Sequence, residues 1–469
     1  MTFRPEALLR GLLVLTGTLM FTVTAAGTGA LQDDLTLARA ALAKDDGIAA
    51  EVPLRRALAG GAARSAVAAA MGEALLLQHQ NVRARAWLGA GKFDAVDARR
   101  GFRALGRLEQ SEGNLPAAGR AFDRALAGGP GDAGLWTDIG RLRYAGGQQR
   151  EAIEAADRAV ALGPDNVRAL EFRGELVRDQ IGPVAALPWF ERGLAQAPDD
   201  PALLGEYAAT LCDLGAARDC LTVSRKLLEV DPGNAQAYFI QATLAARGGN
   251  FALARRMIGK TRRRLDTVPA VMLLEGALEL QAGNRNVAVD VLARLVERQP
   301  DNAVARAALV RAYRVSGRAD LAGITQARRK VGAGTVMILS SGEVAIGVLA
   351  ADYASSPTAI TAVPYIRALL TSGRGGEAAG IAEHLRSASP GARDAHVLAG
   401  DVHLVVGHPA AAKADYGAAA QIRIDDALLA RAAVVLRQLG QEAGRSALAR
   451  AYLAQHPRSI LAWRLTQPG

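Results

Sequence analysis

The sequence is poor in aromatic residues, histidine and cysteine. Aromatic residues occupy 4% of the 469 positions, there are 6 histidines, and the only cysteines are Cys212 and Cys220. With so few rings, a core has to be built from small and aliphatic side chains at close helix spacing. The two cysteines have no third or fourth ligand near them, which argues against a zinc site. They either form a disulfide across a short loop or lie reduced and buried at positions that otherwise carry alanine.

The sequence also lacks an acidic excess. Its 56 Lys and Arg against 46 Asp and Glu give a net charge of +10, and nearly all of the cations are arginine. These arginines either solvate helix surfaces or attract anionic partners, such as acidic peptides, acidic polysaccharides or phospholipid headgroups. Because the basic residues are not interleaved with aromatic rings that could stack on bases, nucleic acid is not an expected partner.

The first thirty residues differ in composition from the rest of the chain. Two arginines precede an uncharged apolar run, Gly11–Ala26, and small residues follow it. This order predicts a signal peptide over residues 1–30, cleaved after Ala26 or Ala30. The alternative is an uncleaved membrane anchor through residues 8–29. The repeats are therefore expected in the periplasm, either released or held at the inner membrane.

Glycine and proline recur with a period of 34 residues. A fixed period near this length predicts stacked helical hairpins, whose core grows along one axis. Glycine permits the tight turn inside each hairpin, and proline stops one hairpin before the next begins. The glycines of this grid are Gly113, Gly147, Gly215, Gly249, Gly283 and Gly317, with Gly182 displaced by one position. The prolines are Pro130, Pro164, Pro198, Pro232 and Pro300.

Small residues mark the closest approach of the two helices in each unit. The eighth position of the unit carries Gly or Ala, as at Gly174, and the twentieth carries Ala, as at Ala152. Larger residues such as Trp136, Tyr238 and Phe190 are expected to fill the gaps between hairpins.

These positions resemble those of the tetratricopeptide repeat family. The unit Ala133–Asn166 shows the resemblance best, through Trp136, Gly140, Gly147, Ala152, Ala159 and Pro164. The resemblance implies an all-α, right-handed superhelical solenoid of tandem helix-turn-helix hairpins. The expected organisation is a signal peptide or anchor (1–30), divergent hairpins (31–98), a regular array (99–330), an irregular Gly-rich interruption (331–358), a second array (359–458) and a C-terminal cap or tail (459–469).

No stretch of the sequence carries a catalytic motif. His396 and His403 share one predicted helix face and His408 lies in the following turn, but no carboxylate cluster completes a metal site. The Gly-rich stretch lacks the lysine and spacing of a phosphate loop. We therefore expect a non-enzymatic protein without catalytic residues, metal or cofactor.

The resemblance also implies a binding surface. In the family, positions 2, 5, 9 and 12 of each first helix line a concave groove, which would run here from an arginine-rich end to an apolar middle. The predicted groove residues are Arg100, Arg103, Arg107, Arg141, Tyr144, Arg168, Arg178 and Phe239. Arginine forks suit carboxylate or sulfate groups. The alternative is that these arginines pair with neighbouring acids such as Glu171 and Glu175 and are simply solvated.

Export and repeat type together make the chain similar to envelope scaffolds of this family, including those that accompany exopolysaccharide synthesis and export. The expected partners are other envelope proteins, or an acidic peptide or polysaccharide. The alternative function is that of a membrane-anchored assembly factor or chaperone for envelope proteins, similar to the repeat subunits of cytochrome c maturation.

Overall fold

The structure, a computed structural model, describes residues 31–261, 265–299, 302–330 and 346–467. The predicted signal peptide or anchor, Pro300 and most of the predicted Gly-rich interruption lie outside these residues. The described residues are helical and contain no β-strand. They divide into two compact units, Met1–Gly146 and Gly147–Gly469.

The helices of the first unit pack as sequential neighbours along the chain. They are α1 (31–42), α2 (Gly47–Ala59), α3 (Arg64–Leu77), α4 (Asn81–Leu88), α5 (Ala98–Ser111), α6 (Leu115–Ala127) and α7 (Ala133–Ala145). Helix α3 packs against α2, α4 and α5, and α5 pairs with α6 as a hairpin. A continuous apolar core joins α1 to α5 through side chains such as Leu54, Leu75 and Leu108.

The second unit continues with further hairpins in the same order. Its helices are α8 (Gln149–Leu162), α9 (Val167–Gln180), α10 (Pro183–Gln196), α11 (Pro201–Leu214), α12 (Ala217–Val230), α13 (Ala235–Arg247), α14 (Phe251–Lys260), α15 (Pro269–Gln281), α16 (Arg285–Arg298), α17 (Ala303–Val315), α18 (Ala319–Lys330), α19 (Ile346–Ser355), α20 (Ala359–Thr371), α21 (Gly375–Ala388), α22 (Arg393–Val405), α23 (Pro409–Ile422), α24 (Asp426–Gln438), α25 (Glu442–Gln455) and α26 (Ile460–Thr466).

Each hairpin consists of a first helix and a second helix, and the pairing follows the predicted grid. In the second unit α9 pairs with α10, α11 with α12, and so on to α17 with α18; the order resumes with α20 and α21. Helix α19, whose partner the sequence does not predict, packs against α20.

The turn inside a hairpin requires a left-handed residue, as the glycine grid predicts. The six grid glycines have φ between +76° and +86°, a region that residues with a Cβ rarely adopt. At Gly215, which ends α11, φ is +86° and the amide donates back to the last turn of the helix. Gly182, the displaced member, has φ +140° and begins α10 instead of closing α9.

The small residues lie where the two helices of a hairpin touch. Ala152 is fully buried, and a methyl group added to Gly174 would lie 2.5 Å from a ring carbon of Phe190 on the paired helix. The equivalent approach recurs at Gly400, which faces Tyr416 at the same distance. The close helix spacing predicted from the composition is thus produced by these positions.

A hydrogen bond to a proline carbonyl recurs at the start of three first helices. The Trp136 ring nitrogen donates to the carbonyl of Pro130 at 3.0 Å, and the Tyr238 hydroxyl donates to the carbonyl of Pro232 at 3.0 Å. The third member joins His396 Nε2 to the carbonyl of Pro390 at 2.9 Å. Each ring lies six residues after its proline, so the inter-hairpin loop is fastened to the helix that follows it.

The two cysteines form a disulfide. Cys212 lies near the end of α11 and Cys220 in α12, both are buried, and their Cα atoms are 5.3 Å apart. The bridge spans 8 residues across one hairpin turn. By chain entropy, closing so short a loop stabilises the fold by about 2–3 kcal/mol.

Candidate binding surface

The hairpins of the second unit curve because their first helices lie closer together than their second helices. Helix α9 contacts α11, α11 contacts α13, α13 contacts α15 and α15 contacts α17. Consecutive second helices contact each other less. The first helices therefore lie on the inner side of the curve, and we call their inward residues the first-helix face of this unit.

Arg168 and Arg178 of α9 and Phe239 of α13 occupy the positions predicted for this face. The Arg178 guanidinium lies 2.7 Å from Glu206 on α11 and donates a second bond to the Thr210 hydroxyl at 3.2 Å. Burial alone would lower the pKa of Arg178, but the neighbouring Glu206 carboxylate raises it overall. Arg178 thus joins two successive first helices and stays charged.

Phe239 is half-buried in the middle of this face. Thr243, one turn further along α13, donates its hydroxyl to the Phe239 carbonyl at 3.0 Å. Leu273 and Leu280 of α15 are partly buried and pack against an apolar cluster shared by α16 and α17. The residues predicted for the apolar middle of the groove are therefore a ring and aliphatic side chains that stay partly exposed.

In the first unit the predicted arginines lie on α5 and α7. Arg100 Nη1 lies 2.8 Å from Glu73 on α3, and Arg103 Nε lies 2.6 Å from Asp138 on α7. Asp138 is buried, and its charge raises the pKa of Arg103 against the lowering effect of burial. These two arginines join α5 to α3 and to α7, as Arg178 joins α9 to α11 in the second unit.

The three remaining predicted residues of the first unit also lie on these helices. Arg107 is half-buried on α5, and Arg141 and Tyr144 are half-buried on α7, three residues apart. Each also has an interaction within the chain. Helix α5 contacts α7, so the structure places all five predicted residues of this unit on two neighbouring first helices.

Sequence reasoning did not identify the acids that receive the arginines. Glu73, Asp138 and Glu206 each belong to a helix before or after the arginine they bind. Arg100, Arg103 and Arg178 therefore pair with acids of the chain, as the alternative interpretation expects. Asp138 and Glu206 are each the sixth residue of their helix and lie two periods apart, with Phe172 at the position between them; this is the signal that could have revealed two of these pairs.

The C-terminal histidines have local partners. His403 Nδ1 lies 2.6 Å from Asp415 on α23, and His396 is buried at the proline carbonyl described above. Within the described ranges, no three His, Cys, Asp or Glu side chains are grouped closely enough to hold a metal ion. No helix among those residues is long and apolar enough to cross a membrane.

Three features establish the architecture: the glycine turns, the small residues where paired helices touch, and the stacking of the first helices. The described residues form helical hairpins that resemble tetratricopeptide repeats. The resemblance stated from the sequence and the all-α class are therefore confirmed at the level of the fold.

Comparisons with known proteins find similar helical-repeat structures at low identity. PilW, a type IV pilus biogenesis factor, is 16% identical, covering 45% of this chain and 98% of its own, with a TM-score of 0.38. The Cut9–Hcn1 hetero-tetramer of APC/C is 12% identical, covering 93% of this chain and 95% of its own, with a TM-score of 0.37. The human IFIT1 dimer with PPP-AAAA is 13% identical, covering 76% of this chain and 91% of its own, with a TM-score of 0.40. No protein family and no curated protein matches the sequence. These identities and TM-scores are too low to indicate a partner or an activity for this chain.

Proposed function

We propose that the protein is an exported, non-enzymatic scaffold of the cell envelope that holds other envelope proteins or an acidic exported polymer against its first helices. The observation that carries this proposal is the first-helix stacking, which presents a repeating row of polar and apolar side chains along one side of the array. A partner bound there would contact several hairpins at once, which suits an extended chain better than a small substrate.

We assign the partner-binding surface to eight residues of the first helices. In the first unit they are Arg100, Arg103, Arg107, Arg141 and Tyr144, and in the second unit they are Arg168, Arg178 and Phe239. Because Arg100, Arg103 and Arg178 already bind acids of the chain, their role is to hold the helices in register and to keep the surface positive. An acidic partner would add to these pairs at the guanidinium edges that remain accessible.

The disulfide supports the envelope location. Structural disulfides persist in oxidising compartments such as the periplasm and are rare in the cytosol. A bridge between Cys212 and Cys220 therefore accords with the signal peptide or anchor expected over residues 1–30. Exopolysaccharide synthesis or export is the process that we propose for the scaffold.

Export is tested by mass spectrometry of the N-terminus after expression in a Gram-negative host. A cleaved signal gives a periplasmic protein beginning near Gly27 or Leu31. An intact protein in the membrane fraction would instead identify residues 8–29 as an anchor. An intact, cytosolic protein would contradict the proposal of export.

Partner chemistry is tested with a fluorescent poly-L-glutamate of about 50 residues, followed by anisotropy at several salt concentrations. The first-helix variant Arg107→Gln/Arg141→Gln should weaken binding about tenfold at low salt, with the effect shrinking as salt rises. The matched control is Arg120→Gln/Arg218→Gln, which removes the same charge from two exposed second-helix residues. Equal losses in the two variants would show that only net charge matters and would contradict binding at the first helices.

A further inference from the structure

The displaced glycine of the grid lies at a contact between hairpins that are far apart in the sequence. Gly182 is buried at the start of α10 and faces the loop that follows α25. A Cβ at this position would lie 2.7 Å from the Cβ of Gln455 and 2.8 Å from Nε2 of His456. Only glycine is accommodated here, and its conformation, with φ +140°, also favours glycine.

The contact continues through neighbouring hairpins of the second unit. The Gln180 side chain donates to the carbonyl of Gln421 at 2.8 Å, across a separation of 241 residues. Arg458 donates to the carbonyl of Cys212 at 3.4 Å, across 246 residues. Dividing 241 by the 34-residue period gives about seven hairpins. The curved array of the second unit thus returns to contact itself after about seven hairpins.

We call this contact the clasp. One side consists of residues 149–151, 180–185 and 212–215, in the turns within three successive hairpins. The other side consists of residues 391–393, 421 and 455–458, in or beside the loops between the C-terminal hairpins. A polar cleft of about 400 Å³ lies in it, lined by both arginines and aspartates, including Arg178, Asp213, Asp425 and Arg458. Since both charge signs line the cleft, it does not select an anion.

The clasp supplies the helix caps that three helices lack locally. The first amides of a helix have no acceptor within the helix, and a side chain of the preceding residue usually supplies one. The residues that precede α8, α10 and α22 provide no such bond. By contrast, Asn166, Asp200 and Asp425 cap α9, α11 and α24 from their own side chains.

Acceptors for these three helices come from across the clasp. The amide of Arg150 in α8 donates to the carbonyl of Gly391 at 3.2 Å. The amide of Ala185 in α10 donates to Oε1 of Gln455 at 3.0 Å, and the amide of Arg393 in α22 donates to Oε1 of Gln149 at 3.2 Å. Opening the clasp would therefore remove the caps of three helices at once, so their capping and the closure of the unit are coupled.

Among the described residues, the clasp is joined by hydrogen bonds and by the packing of Gly182 against Gln455 and His456. On one side, Phe190 and Leu203 belong to one apolar cluster, and on the other, Tyr416 and Val435 belong to another. The bonds between the two sides are those of single amides and side chains at partly exposed loops. Polar contacts of this kind between packed bodies permit relative motion, whereas the hairpins themselves are held by buried side chains.

We propose that the clasp opens as one unit and admits a long partner to the first-helix face from the side. The closed clasp would retain such a partner, since a chain held inside the turn could then leave only along its length. The gating role rests on the scaffold function proposed above, whereas the cooperative opening of the clasp does not depend on any partner.

Cooperative opening is tested by hydrogen exchange on the full chain without any ligand. The amides of Arg150, Ala185 and Arg393 should exchange faster than the buried centres of their helices and with similar protection. The variant Gln455→Ala removes the acceptor of Ala185 and should speed the exchange of all three amides roughly five- to tenfold. Acceleration at Ala185 alone, or exchange of all three only with global unfolding, would overturn the proposal.

The control variant removes a cap of the same kind outside the clasp. Asp200 caps α11 through the amide of Leu203 at 2.9 Å. Asp200→Ala should speed exchange at Leu203 and leave Arg150 and Arg393 unchanged. If it accelerates those two amides as much as Gln455→Ala does, the coupling belongs to the whole array and the clasp has no separate opening.

Lateral entry is tested with poly-L-glutamate carrying a streptavidin at each end, a probe that cannot thread through a closed turn; binding is counted only when p-benzoylphenylalanine at position 239, on the first-helix face of the second unit, crosslinks to it. If the clasp opens, this probe binds, and Gln455→Ala speeds its association. If the free-ended chain binds and the blocked chain does not, lateral entry is wrong. If neither chain binds, the acidic partner of the proposed function is wrong, while the exchange experiment still decides whether the clasp opens.

Discussion

At the scale of single residues, the close approach of paired helices was predictable because it depends on side-chain size at fixed positions. Ala152 and Gly174 are buried where the sequence places the helix contact. The ring-to-proline hydrogen bonds were not predicted, because the spacing of six residues gives no sign of which way a side chain turns. His396, considered from the sequence as a possible metal ligand, belongs to this set.

The first prediction compares two neighbouring positions of α8. Ala152→Arg places a long charged side chain at a fully buried contact and should lower the free energy of unfolding by about 3 kcal/mol or more. Arg150→Ala alters an exposed side chain and keeps the backbone bond to Gly391, so its effect should stay below about 0.5 kcal/mol. Denaturant unfolding of the full chain measures both, and equal effects would show that the repeat register is wrong.

A second prediction concerns the loop-fastening hydroxyl. Tyr238→Phe keeps the ring and removes the bond to the Pro232 carbonyl, which should lower the free energy of unfolding by about 1 kcal/mol. Tyr313→Phe is the matched control, since its half-buried hydroxyl makes no hydrogen bond to any of the described residues. Thermal melting should show a larger loss of stability in Tyr238→Phe than in Tyr313→Phe. A loss of the same size in both variants would assign the effect to removing a tyrosine hydroxyl in general and not to the bond with Pro232.

At the scale of helices, the hairpins and the positions of the arginines on the first helices were predictable from the 34-residue period. The partners of those arginines were not, because they depend on how two successive first helices are offset. Asp138 and Glu206 lie two helices after their arginine, and Glu73 lies two helices before its arginine.

A third prediction follows from the buried ion pair of the first unit. Arg103→Leu leaves the buried Asp138 carboxylate without its partner and should lower the free energy of unfolding by about 2–3 kcal/mol. The double variant Arg103→Leu/Asp138→Leu removes both charges and should recover much of this loss. Urea unfolding gives the coupling between the two positions, and a double variant less stable than the single one would contradict the pairing.

At the scale of the whole second unit, the clasp could not be inferred from local sequence patterns. Its contacts join residues 241 to 270 positions apart, and whether two such loops meet depends on the accumulated twist of about seven hairpins. The trace that we find in the sequence is Gly182, which departs from the grid and faces Gln455 and His456. A displaced glycine in a regular array is therefore a useful sign of a distant contact.

A fourth prediction uses the pH dependence of the clasp. Burial lowers the pKa of His456, while Asp426, the Ile181 carbonyl and Asp213 raise it in part; the ring also stacks on Tyr452. The closed clasp therefore binds the His456 proton less tightly than the open one. Closure is unaffected above the ordinary histidine pKa of about 6.5 and weakens as the pH falls below it.

Hydrogen exchange measures this effect after correction for the intrinsic pH dependence of exchange. Protection of the Ala185 amide should be lower at about pH 5 than at about pH 8, and His456→Gln should flatten the difference. Burial raises the pKa of Asp213 in the same cleft, which favours closure at low pH, so the His456 contribution is the difference between the wild type and His456→Gln. Protection that rises on acidification in the wild type but not in His456→Gln would mean that the closed clasp binds the His456 proton more tightly than the open one, contrary to the lowered pKa.

The central claim is that the partner binds the inner side of the first helices, and photo-crosslinking in living cells tests it most directly. The photoreactive residue p-benzoylphenylalanine replaces either Phe239, half-buried on the first helix α13, or Val287, 48% exposed on the second helix α16. The account predicts a discrete adduct from position 239 and none from 287, and the position-239 adduct should identify the partner. An adduct from position 287 with none from 239 would place the binding surface on the second helices and contradict the account.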